Sequence, residues 1–132
     1  MKYMLDTNII IYLINHRSEK ALKQFTKHKP GDLCISAITM AELEYGVYKS
    51  KQKSQNQLAL ILFLSRIKIL PFDSKAATEY GIIRANLSQK GQLIGANDLL
   101  IAAHAKAKNL TLITNNTREF QRVKGLKLAN WA

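Results

Sequence analysis

Short apolar runs alternate with helix-patterned segments along the whole chain, and this alternation constrains the fold more than any other feature. The runs are Lys2 to Leu5, Leu33 to Ser36, Ile67 to Leu70 and Leu110 to Ile113, with a shorter fifth at Leu126 to Leu128. The segments between them carry helical periodicity or capping signals. Asn8 to Ile14 is apolar all round, as a buried helix is. Ser18 is placed to cap Glu19 to His28, where Ala21, Leu22 and Phe25 share a face. A further helix runs from Ala37 or Thr39 to Tyr48, and another covers Gln55 to Ser65. Ser74 is placed to cap a long helix reaching about Ser88. After a loop at Gly91 to Gly95, Asn97 is placed to cap Asp98 to Lys108. Strands alternating with helices predict an α/β fold, a central parallel twisted sheet of about four to five strands flanked by helices. Ligands bind such sheets outside the carboxyl ends of the strands. The polar residues that follow each run are therefore the ones that matter.

The chain has 132 residues, 47% of them hydrophobic, so one domain over residues 1–132 can bury a core. Cys34, its one cysteine, lies between Leu33 and Ile35 and reads as a buried strand thiol. One cysteine makes no internal disulfide, so nothing points to an oxidising compartment. The longest apolar run, Ile9 to Ile14, is too short to cross a bilayer. Asp6 interrupts the first apolar stretch early, which does not suit a signal peptide. The expectation is a cytoplasmic protein with no membrane partner. Lys and Arg number 20 against 9 Asp and Glu, a formal net charge of +11. That excess favours a polyanionic partner, with nucleic acid first and an acidic protein segment compatible with it.

Against this basic background the few acids stand out. Asp6 follows the first run directly, where it serves equally as a cap for the helix behind it or as a functional carboxylate. Thr39-Met40-Ala41-Glu42 matches a capping box, and Glu42 also stands at the rim of a carboxyl end. Asp98 suits the dipole at a helix start, while Asn97 beside it is the more natural cap. Thr114 to Phe120 is a polar stretch after the fourth run, with Glu119 as a fourth acid. Each has a local explanation. Jointly, carboxylates gathered in a basic protein repel one another unless a cation sits among them. Oxygen ligands without a His or Cys cluster suit Mg²⁺, or Mn²⁺ as an alternative. Such an ion activates water and stabilises charge on a phosphodiester.

Four segments carry a resemblance. They are Tyr3-Met4-Leu5-Asp6-Thr7-Asn8-Ile9, Ile38-Thr39-Met40-Ala41-Glu42-Leu43 with Gly46, Gly91 to Asp98, and Leu112 to Phe120. In this order and spacing the chain resembles PIN-domain ribonucleases, and more closely the VapC toxins of bacterial VapBC toxin–antitoxin pairs. The resemblance covers nearly the whole chain. It implies that Asp6, Glu42 and Asp98 are the central acids and metal ligands, with Glu119 completing the catalytic set. Many PIN domains carry an Asp just after the fourth-motif Thr, where this chain has Asn115 and Asn116. The resemblance further implies Mg²⁺-dependent cleavage of RNA, in some relatives a transfer RNA anticodon stem-loop. It also implies a homodimer, a cognate VapB-type antitoxin that blocks the site, and contact with operator DNA only through the antitoxin complex.

Arg118, beside the acids, is the foremost candidate for contacting a substrate phosphate, with Asn116 near it. Lys20, Lys23 and Lys27 share a helical face, and Lys49, Lys51 and Lys53 form a second basic group. Both read as solvated surface or as RNA contacts. His16, His28 and His104 lie in unrelated segments and lack metal-ligand spacing, so an acid–base pair of histidines is disfavoured. Two other functions compete with the nuclease: a non-catalytic RNA- or antitoxin-binding regulator, and a phosphatase with an aspartyl nucleophile. The second wants Asp-x-Asp or Asp-x-Thr, whereas Asp6 is followed by Thr7-Asn8.

Overall fold

A computed structural model describes residues 1–132. Its five strands are β1 (Tyr3–Leu5), β2 (Leu33–Ser36), β3 (Lys68–Leu70), β4 (Thr111–Ile113) and β5 (Leu128–Ala129). They form one sheet in the order β3-β2-β1-β4-β5, and every pair is parallel. Met4 lies between Cys34 and Leu112 in register. Alternate residues serve opposite faces, as the strand period requires. Met4, Cys34 and Leu112 enter one core, and Leu5, Leu33, Ile35 and Ile113 enter the other. Both faces are covered, which is why these strands read as continuous apolar runs.

The helices are α1 (Thr7–Ile14), α2 (Glu19–Lys27), α3 (Ala37–Lys49), α4 (Lys53–Leu64), α5 (Ser74–Gln89), α6 (Ala96–Ala107) and the single turn α7 (Thr117–Phe120). Residues of α1 to α4 build the core with Leu5 and Ile113, and residues of α5 to α7 build the core with Met4 and Leu112. Trp131 closes the first core at the end of the chain. Its ring lies 5.1 Å from that of His28 and 5.6 Å from that of Tyr3.

The chain passes from β1 to β2 and β3 on one side and returns with β4 and β5 on the other. The order therefore reverses between β1 and β4. The crevice at their carboxyl ends is where such sheets bind ligands. Asp6 ends β1 and Thr114 ends β4, so both stand at that crevice.

Local details depart from the sequence expectation at several helix starts. Ser36, not Thr39, caps α3: its Oγ accepts from the Ile38 amide at 3.1 Å. The strand passes straight into the helix there, so the helix begins before a Thr39 capping box could form, and Thr39 is buried. α6 starts at Ala96 with Gly95 as its cap, which places Asn97 inside the first turn. Asp73 rather than Ser74 caps α5. The polar stretch after β4 contains the single turn α7, and β5 forms slightly later than its predicted run.

Candidate active site

Asp6 is both a cap and a member of the crevice. One oxygen, Oδ1, accepts from the Ile9 amide at 3.0 Å and so starts α1. The other, Oδ2, accepts from the Thr114 hydroxyl at 2.5 Å. Only 4% of the residue is exposed. Burial pushes its carboxyl above the ordinary aspartate range, against the opposing pull of these two hydrogen bonds. The two readings of Asp6 open at the sequence level are thus compatible, one for each oxygen.

Glu42 lies in the second turn of α3, past the reach of any capping role. Its Oε1 accepts from the Thr7 hydroxyl, at the start of α1, at 2.5 Å. Its Oε2 accepts from the Asn97 side-chain amide, at the start of α6, at 3.2 Å. Glu44 turns away and accepts from Gln57 of α4.

Asp98 sits in the first turn of α6. Its carboxyl is pushed up to about 6, first by burial and then by the negative fields of Asp6, Glu42 and Glu119, in that order. Glu119 in α7 accepts from the Asn116 side-chain amide at 3.3 Å. The four acids singled out from sequence therefore share one electrostatic neighbourhood, although they come from four different segments.

Arg118 is exposed and belongs to neither ion pair of the structure, which join Lys106 to Glu79 and Lys108 to Asp73. With only these two pairs, most of the 20 basic side chains carry their charge outside any ion pair. Among the histidines, His104 is buried with Nδ1 2.7 Å from Ser36 Oγ, and His28 stacks on Trp131. No histidine pair serves the acids. Burial pushes the Cys34 thiol up to about 12, which leaves it without nucleophilic thiolate.

Thr114 is the residue that sequence reasoning passed over. It is fully buried, and its Oγ1 accepts from the Asn116 amide at 2.9 Å while donating to Asp6. A threonine on the first position after a buried strand beside the switch point was the available signal.

The four carboxylates do not form a ready-made cage, since no three His, Cys, Asp or Glu side chains are grouped to hold a metal ion. The donor chemistry still fits Mg²⁺, which commonly takes one or two carboxylates and keeps several waters. Asp98 carries uncompensated repulsion, and no hydrogen bond offsets it. A cation between Asp98 and Asp6 would relieve that repulsion.

Parallel strands in this order with acids at the switch point define a class, the PIN domain, and the family model of that description matches residues 3–126. A Rickettsia felis protein named Ribonuclease VapC2 is 51% identical over 99% of this chain and 98% of its own length. A Shigella flexneri protein named tRNA(fMet)-specific endonuclease VapC is 42% identical over 100% of this chain and 99% of its own. The crystal structure of VapBC2 from Rickettsia felis, bound to a DNA fragment from its promoter, superposes with a TM-score of 0.94 at 48% identity, covering 100% of both chains. The chain belongs to the VapC ribonucleases of the PIN-domain family.

Proposed function

We propose that this chain is the toxin of a type II toxin–antitoxin pair, a metal-dependent endoribonuclease that hydrolyses RNA at the cluster of Asp6, Glu42, Asp98 and Glu119. The observation that carries this reading is geometric: Asp6 is tied to Thr114 at the switch point, and Glu42 is tied to Thr7 and to Asn97, the neighbour of Asp98. The raised Asp98 carboxyl supports it, since a gathering of acids favours positive charge among them.

Asp6 and Asp98 would hold Mg²⁺, or Mn²⁺ in its place. When bound, the ion lowers the pKa of a water and neutralises charge developing on the phosphodiester. Glu42 helps hold the ion or orients the attacking water, and Glu119 assists from α7. Arg118 and Asn116 receive the flanking phosphate. Because water is the nucleophile, the RNA's own 2′-hydroxyl takes no part in the displacement.

The net charge of +11 concentrates RNA around an acidic centre that could not attract it alone. The substrate we assign is a transfer RNA, after the printed name of the Shigella flexneri relative. A VapB-type antitoxin is the partner, and operator DNA is met through that complex, as the Rickettsia felis VapBC2 structure bound to promoter DNA supports. The antitoxin's seat is the groove of about 230 Å³ between α1, α3 and α4, lined by Ile11, Ile14, Leu43 and Leu60, with Glu42 at its edge. An occupant there covers Glu42. The active unit is a homodimer in the cytoplasm.

The test is brief expression of the wild type and of Asp6→Asn, with RNA ends mapped in each. The wild type yields new ends at one transfer RNA position, and Asp6→Asn yields none. The same ends from Asp6→Asn would refute the reading, and no new ends from the wild type would favour a non-catalytic binder.

A further inference from the structure

Glu42 is held from outside its own helix. Its two oxygens accept from Thr7 of α1, 35 positions away, and from Asn97 of α6, 55 positions away. Neither donor is explained by local helix chemistry. The cap of α1 is Asp6 and the cap of α6 is Gly95, so Thr7 and Asn97 are spare for long-range use. A carboxylate only accepts, so the Asn97 atom facing it is the amide nitrogen, and the orientation of that side chain is settled.

The kind of donor matters as much as its place. The chain has 20 basic side chains, yet Glu42 is gripped by a hydroxyl and an amide, both neutral. A lysine or arginine there would fix Glu42 equally well, but it would also cancel negative charge that the cluster needs. Neutral donors fix the carboxylate's position and leave the field at Asp98 intact. They also keep Glu42 in place against the repulsion of Asp6 and Asp98 when no cation is bound.

We propose that Thr7 and Asn97 are positioning residues that lock Glu42 in the crevice through uncharged hydrogen bonds, and so fix the group that orients the attacking water. This rests on the nuclease reading above. They act only through Glu42 and touch no reacting atom.

The test uses purified full-length chain with a transfer RNA substrate. Asn97 is exposed, so Asn97→Ala folds without loss of core. Asn97→Ala and Thr7→Val each lower kcat roughly tenfold, with KM little changed, as loss of a residue orienting a site group does. Thr7→Ser restores the rate, because it returns the hydroxyl. Mn²⁺ affinity, read by calorimetry, stays within about twofold in Asn97→Ala and drops sharply in Asn97→Lys, which brings a cation to the site. In metal-free urea unfolding, the effect of Asn97→Ala disappears in a Glu42→Ala background, the coupling expected of a direct pair. Wild-type kcat in both Asn97→Ala and Thr7→Val overturns the proposal, and so does an undiminished Asn97→Ala effect once Glu42 is gone. Wild-type cleavage that needs Mg²⁺ and is lost in Asp6→Asn keeps these outcomes separate from failure of the nuclease reading itself.

Discussion

Thr114 donates its hydroxyl hydrogen to Oδ2 of Asp6 at 2.5 Å, joining residues 108 positions apart across the ends of β4 and β1. The bond closes the switch point. It also opposes the upward push of burial on the Asp6 carboxyl. Thr114→Val keeps the shape and removes the donor. It leaves Asp6 Oδ2 and the Asn116 amide without a partner, and should cost about 1–3 kcal/mol in urea unfolding. Mn²⁺ affinity at pH 7 should fall at the same time, while Thr114→Ser retains both properties.

Asp98 makes stability depend on pH in a direction opposite to most aspartates. Its carboxyl is raised from 3.8 to about 6 by burial and three acidic neighbours. The folded state thus holds the proton more tightly than the unfolded chain. Stability from this group is complete below the unfolded pKa and is lost as pH rises through the folded one. Asp98→Asn keeps the neutral form at every pH. With metal chelated, Asp98→Asn should melt roughly 3 °C above the wild type at pH 7.5, and the gap should close near pH 4. Adding Mn²⁺ should raise the wild-type Tm and leave that of Asp98→Asn unchanged. A constant gap across this range would contradict the assigned cause.

Arg118 is exposed and free of any ion pair, so its loss breaks no ion pair of the fold. Arg118→Ala should raise KM for RNA without altering Tm. The slope of log(kcat/KM) against log[salt] should become shallower by about 1, the signature of one lost phosphate contact. An unchanged slope would place Arg118 outside the RNA path.

Ser36 has two duties at the start of α3. Its Oγ accepts from the Ile38 amide to cap α3 and faces Nδ1 of buried His104 at 2.7 Å. Ser36→Ala removes the cap and leaves a buried imidazole nitrogen alone, which should cost about 2 kcal/mol in urea unfolding. Because α3 carries Glu42, kcat should fall as well.

The legible part of this molecule was local. Strands two and four were visible as apolar runs because both faces of the sheet are buried, and Ser18 could be read as a cap because its partner amide on Ala21 is three residues away. Asp6, Glu42 and Asp98 stood out because acids are scarce and these fall after a strand or near the start of a helix. The unreadable part was pairwise and distant. Nothing near Thr114 announces Asp6, and nothing near Thr7 or Asn97 announces Glu42, because only the sheet order brings these segments together. The capping box expected at Thr39 failed for a related reason. Its pattern was correct in isolation, but the chain turned at Ser36 first. Glu42, freed from capping, became available to the site.

The central claim is that the Asp6–Asp98 cluster cleaves RNA only with a divalent cation. The most direct measurement is the cleavage rate of purified protein on a transfer RNA, in chelator and then with Mg²⁺ restored, for the wild type and Asp6→Asn. The expected result is no cleavage in chelator, full recovery for the wild type on adding Mg²⁺, and none for Asp6→Asn at any Mg²⁺ concentration. Cleavage by the wild type in chelator, or by Asp6→Asn at a comparable rate, would contradict it.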